Sequence, residues 1–110
     1  MVDDEEAVRT PLRIALEMAG HEVREAADGT SGLALQQETP ADLVITDLRM
    51  PGPGPDEIVE KLRTGYPTTK IIAISALDSD LAARLDVDCA IQKPFSLKDV
   101  LEKVSDLLAE

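Results

Sequence analysis

The sequence predicts an α/β domain, a parallel β-sheet with helices on both faces. Three observations predict it. The runs Leu43 to Thr46, Ile71 to Ser75 and Cys89 to Gln92 lack the polar alternation of a half-exposed strand and read as buried parallel strands. Stretches with helical apolar spacing separate them. Strand and helix alternate along the chain, which requires right-handed crossovers and so puts helices on both faces.

In chain order, Val8, Leu12, Ala15, Leu16 and Ala19 mark one face of a helix that Gly20 stops. Pro11 lies within that stretch, so either the helix begins at Thr10-Pro11 or its first turns are kinked. His21 to Ala27 reads as a short strand, with Asp28-Gly29 as the turn after it. Ser31 to Glu38 is a weakly periodic helix ended by Thr39-Pro40. The prolines of Met50 to Pro55 dictate a loop. Asp56 to Arg63 then forms a helix with Ile58 and Leu62 inward, and Asp78 or Ser79 caps a short helix running to Leu85. Ser96, with Asp99 three residues on, resembles a capping box. It opens a helix whose stripe is Leu97, Val100, Leu101, Val104, Leu107 and Leu108.

Length and composition bound the function. One domain covers residues 1–110, with a core large enough to fold without staples. The net charge of −11 would repel nucleic-acid phosphates, and aromatic residues at 2% supply no base-stacking platform. A lone Cys89 excludes an internal disulfide and fits a reducing cytoplasm. It reads as a small half-buried apolar residue. No apolar run reaches the roughly 20 residues that span a bilayer, and the acidic N-terminus is not a signal peptide. His21 reads as a solvated residue and Phe95 as packing under the last helix.

The chemistry collects at strand ends. Asp47 closes its apolar run, Ser75 closes the next and Lys93 the last, while Asp3 and Asp4 follow Met1-Val2. Parallel strands bring such ends to one rim, where open α/β sheets bind ligands. Three carboxylates on one rim repel one another, and a hard divalent cation relieves that repulsion. A lysine and a hydroxyl beside them suit a phosphoryl group. Taken singly, each residue has a plainer reading. The two acids would be an exposed turn or helix cap, Asp47 a strand-end acid, Ser75 a turn residue and Lys93 a surface lysine.

Four pieces in order resemble the receiver domain of two-component response regulators: Val2-Asp3-Asp4-Glu5, Asp42 through Gly52, Ile74-Ser75-Ala76 and Lys93-Pro94-Phe95. The resemblance covers essentially the whole chain. It implies a flavodoxin-like doubly wound sheet of strand order 2-1-3-4-5. It also implies that Asp47 accepts a phosphoryl group from a sensor histidine kinase or phosphotransfer protein. Asp4, Asp47 and the backbone carbonyl of Arg49 would bind Mg²⁺, and Asp3 would act through a metal-bound water. Ser75 and Lys93 would each meet a phosphoryl oxygen, and the Lys93-Pro94 bond is often cis in such domains. The expected protein is cytoplasmic and signals to a downstream protein partner, or through an effector domain elsewhere in a longer regulator. It touches neither nucleic acid nor membrane directly, and a homodimer is left open.

Three departures from that pattern carry consequences. Only Met1 and Val2 precede Asp3, against the ~5–6 residues of a typical strand. The expectation is either a start upstream of Met1 or a sheet weakened at its centre. The stretch from Ser75 to Lys93 is short by about one helical turn, ~4 residues, so the fourth helix should be stubby. Ala90 stands where the family often has an aromatic that swings inward, which puts the usual readout in question. The segment Pro53-Gly54-Pro55 also lacks the usual Asp-Gly. Two other functions compete. A haloacid dehalogenase-type phosphatase needs a second Asp two residues after its nucleophile, where this chain has Arg49. A receiver-like module that no longer responds to phosphate fits the short start and Ala90.

Overall fold

The computed structural model describes residues 1–3, 5–47, 55–75, 86–92 and 95–109, with backbone alone at 55, 56 and 75. Three parallel strands lie side by side in the order β1 (Leu43–Asp47), β2 (Lys70–Ser75), β3 (Cys89–Gln92). Val44 faces Ile71 and Asp47 faces Ile74 across the first pair, and Ile72 faces Cys89 across the second. On the other side of β1, Val2 bridges in parallel to both Thr46 and Ala26. The layer therefore runs from Ala26 to Val2, β1, β2 and β3, consistent with the expected 2-1-3-4-5 order.

Both faces are covered, as a buried parallel sheet requires. Ile45, Ile72 and Ile74 pack against Leu12 and Leu16 of α1 (Glu6–Met18) and against Val100 and Val104 of α4 (Leu97–Leu108). Val44 and Ile71 pack on the opposite face against Ile58, Val59 and Leu62 of α3 (Pro55–Gly65). Leu33 of α2 (Gly29–Glu38) joins that second cluster. Only the middle of the predicted α4 stripe is fully buried, since Leu97 and Leu108 at its two ends are each 38% exposed.

Several boundaries differ from the sequence expectation. α1 begins at Glu6 and runs through Pro11, so the proline starts no helix. Its missing N–H forfeits a bond to the Ala7 carbonyl, and exposed Ala7 leaves that carbonyl to water. Gly20 closes the helix at φ 96°, a left-handed conformation that glycine takes without penalty. The expected strand from His21 to Ala27 is reduced to the single bridge at Ala26. Among the described residues its neighbour in the layer is the segment at Val2, which offers too few backbone groups for a ladder. α2 begins at Gly29, two residues early, because Asp28 caps it by accepting from Ser31 N at 2.7 Å. Ser96 caps α4 through Asp99 N at 3.0 Å, the forward half of the expected box. The loop expected at 50–54 and the short helix expected from Asp78 to Leu85 lie outside the described residues.

Buried polar groups tie the connections down. Gln36 donates to Thr69 Oγ1 and accepts from Ala41 N, while Thr69 Oγ1 donates to the Ala41 carbonyl. This links the end of α2 to the entries of β1 and β2. Arg63, in the last turn of α3, donates to the Asp86 carbonyl at 2.8 Å and to Asp88 Oδ2 at 2.9 Å. The same Oδ2 accepts from Ile71 N at 2.7 Å. Burial alone would raise the Asp88 pKa, but the Ile71 N–H and the Arg63 guanidinium outweigh it and hold it below the usual carboxylate range. The folded pKa is thus the lower one. The contribution is complete above the unfolded value of about 4 and is lost as pH falls through the folded value. Asp88→Ala should cost about 1–3 kcal/mol by stranding the buried Ile71 N–H. A thermal melt should also show the gap to wild type closing in acid.

Gly32 supplies a second test of packing. A Cβ built there would lie 2.5 Å from Val2 Cγ2. Valine is stiff at χ1, and Val2 is pinned by bonds from its N–H to the Ile45 carbonyl and from Asp47 N to its own carbonyl. Gly32→Ala gains up to about 1 kcal/mol of helix propensity but meets an overpacking cost of about 1–3 kcal/mol. The expected net effect is a lowered urea midpoint.

Candidate functional site

β1 delivers Asp47 to the carboxyl rim of the sheet because the three residues before it, Val44 to Thr46, are buried in the core. Asp47 is 4% exposed. The first segment reaches the same rim through backbone bonds on both of its sides. Val2 is bonded to Ile45 and Asp47, while Asp3 N donates to the Ala26 carbonyl and Ala26 N to the Met1 carbonyl. Asp3, 2% exposed, is thereby brought beside Asp47. Its Oδ1 accepts from Glu5 N at 2.9 Å, which turns the chain into α1 and brings the Glu5 carboxylate round. One carboxylate oxygen from each of Asp3, Glu5 and Asp47 lies within 4.8 Å of the others.

Arg9 of α1 anchors this turn by donating its guanidinium to the Asp3 carbonyl. It also pairs with Glu25, as does Arg13. Arg9 thereby braces the backbone beside the acids.

Of the expected site residues, Asp3 and Asp47 come together. Ser75 is the last residue of β2, one beyond the Ile74 that faces Asp47, so its backbone lies on the same rim. Asp4, Arg49 and Lys93 lie outside the described residues. Glu5 is an addition. Its signal in the sequence is the unbroken run of four acids from Asp3 to Glu6, which carries no periodicity that singles Glu5 out. Oxygen donors alone, spaced a few ångströms apart, suit a hard cation better than a soft one.

A family model described as response regulator receiver domain matches residues 1–105. The chain belongs to the response regulator receiver family. Among relatives of this receiver, the response regulator MprA of Mycobacterium sp. (strain KMS) is 35% identical over 98% of the chain, which spans 49% of that protein. The sensor kinase CckA of Brucella abortus is also 35% identical over 98% of the chain, which here spans only 12% of its relative. In three dimensions the receiver resembles the Vibrio cholerae chemotaxis protein CheY4 with a TM-score of 0.88 at 28% identity, covering 96% of this chain and 93% of that one. It is thus a CheY-like receiver domain of two-component signalling. Among the described residues, no helix is long and apolar enough to cross a membrane.

Proposed function

We propose that Asp47 is the phosphoryl acceptor of this receiver. The donor would be a phosphohistidine on a sensor histidine kinase or phosphotransfer protein. The observation that carries the reading is the meeting of Asp47 with Asp3 and Glu5 at the end of β1. A carboxylate oxygen of Asp47 attacks phosphorus and forms an acyl phosphate. The phosphorus–nitrogen bond of the donor breaks, its electron pair leaves with the imidazole, and that nitrogen takes up a proton. Asp4, Asp47 and the Arg49 carbonyl would hold Mg²⁺, with Asp3 acting through water. The ion supplies neutralising charge to the transferring group. Ser75 and Lys93 would receive two phosphoryl oxygens, and Glu5 would help confine the cation. The domain acts as an acceptor rather than a turnover enzyme. It works in the cytoplasm and passes its state to a protein partner or to an effector domain of a longer regulator.

The decisive experiment incubates the protein with Mg²⁺ and a small phosphodonor and reads the intact mass. One phosphoryl adduct is expected, and none at saturating donor would overturn the proposal.

A phosphate-independent interaction module is the second reading, favoured by exposed Ala90 on β3 in place of an aromatic switch. An acid site in working order binds Mg²⁺ and raises the melting temperature. A melting temperature unmoved by Mg²⁺ would favour the inert module.

A further inference from the structure

The backbone of Asp3 is tied at both of its polar groups to one neighbouring segment. Its N–H donates directly to the Ala26 carbonyl. Its carbonyl accepts from the guanidinium of Arg9, and Arg9 pairs in turn with Glu25, the residue before Ala26. Asp3, Arg9 and segment 25–26 thus close a ring. The bonds of α1 begin at the Glu5 carbonyl, which accepts from Val8 N and Arg9 N, so Asp3 lies ahead of the helix. Asp3 is almost wholly buried, and little water can stand in for the guanidinium at its carbonyl.

The charge of Arg9 works against this position. A guanidinium at Asp3 repels a divalent ion held by the acids, so by Coulomb's law alone its removal would tighten that ion's binding. Glu25 offsets the repulsion. Its Oε1 lies 3.6 Å from Arg9 Nε, and its Oε2 lies 3.1 Å from Nε of Arg13, one turn further along α1. The Arg9 side chain is 16% exposed and that of Arg13 36%, so the Arg9 pair is the less screened of the two. Arg9 turns Nη1 to the Asp3 carbonyl and Nε to Glu25, and its planar fork serves both partners at once.

We propose that Arg9 and Glu25 are positioning residues for the cation of the acceptor site, a charge-neutral clamp that fixes the turn at Asp3. The inference rests on the reading of Asp3, Glu5 and Asp47 as a cation site. The clamp holds the Asp3 carbonyl while Asp3 Oδ1 accepts from Glu5 N at 2.9 Å, which keeps the carboxylates of Asp3 and Glu5 gathered at Asp47. Glu25 also keeps the guanidinium away from those carboxylates, where its charge would compete with the ion. Groups that orient metal ligands without touching the metal typically set its affinity by about 10–100-fold.

The test measures the Mg²⁺ dissociation constant of the 110-residue chain and its variants by titration calorimetry. Arg9→Gln should weaken binding by about tenfold or more, opposite in sign to the tightening that charge alone predicts. Glu25→Gln should weaken it as well, and the double variant should bind no more weakly than Arg9→Gln, because the two residues act as one unit. Arg13 pairs with Glu25 and Glu17 rather than with Asp3, so Arg13→Gln should stay within about twofold of wild type. Affinity at or above wild type in Arg9→Gln would overturn the proposal, as would additive losses in the double variant or a matching loss in Arg13→Gln. Should Arg9→Gln not fold, Arg9→Lys takes its place with the same two outcomes, since it keeps the charge and gives up the fork. Phosphoryl uptake is scored separately by intact mass. A wild type that is phosphorylated while Arg9 variants bind Mg²⁺ normally would sink the clamp alone, and a wild type that binds no Mg²⁺ would sink the cation reading beneath it.

Discussion

Asp47→Ala and Asp47→Asn are expected to take up no phosphoryl group under conditions that load the wild type fully. The backbone bond from Asp47 N to the Val2 carbonyl does not need the side chain, so both variants should fold. The asparagine variant keeps the size of the side chain and removes only the anionic nucleophile. Loss in both therefore reports chemistry rather than shape. Asp3 and Glu5 lie close enough to test the assignment stringently, because each offers a carboxylate oxygen within 4.8 Å of one from Asp47. Peptide mapping that found the adduct on Asp3 or Glu5 would reassign the acceptor. The same variants should blunt the response to Mg²⁺. An ion at one hundred times its dissociation constant stabilises a folded protein by about 2.7 kcal/mol. Removing one of the clustered carboxylates should flatten that thermal shift.

Ile72→Ala should be the most damaging single truncation of the core. Ile72 is fully buried in β2, flanked by Ile45 and Cys89, and packs within the cluster built on α1 and α4. Removing three carbons from such a site costs about 3–4 kcal/mol, against a total of ~5–15 kcal/mol for a domain. The melting temperature should fall by roughly 15–25 °C, and urea unfolding should show the matching loss of midpoint. Met18→Ala is the control. That side chain is 85% exposed, and its loss should move stability by less than about 0.5 kcal/mol. A change at Ile72 no larger than that at Met18 would mean that this face of β2 is not the centre of the core.

Much of this was legible in the residues. The apolar runs marked all three strands to within about one residue, because a strand buried on both faces has no polar positions to blur it. α4 was equally plain, with its stripe and its serine cap. The segment after Gly20 was misread. Its apolar residues suit a strand, but a strand exists only where a neighbour offers backbone groups, and Val2 and its flanks offer few. Of the two starts that Pro11 left open, the one at Thr10-Pro11 is excluded for a related reason. Helix boundaries depend on what the chain does before them, and the turn at Asp3 and Glu5 starts α1 ahead of the proline.

Local pattern alone determined the order and type of β1 to β3 and α1 to α4, and it placed an aspartate at the end of a buried strand. Apolar periodicity is a property of neighbouring residues, so it survives in one dimension. The tertiary structure decided which acids meet. Asp3 and Asp47 are joined through the bonds of Val2, and Glu5 enters through a turn that no periodicity encodes. It also decided that a cavity opens between segment 22–24 and residues 43–45, since walls far apart in the chain enclose a space only once both are in place.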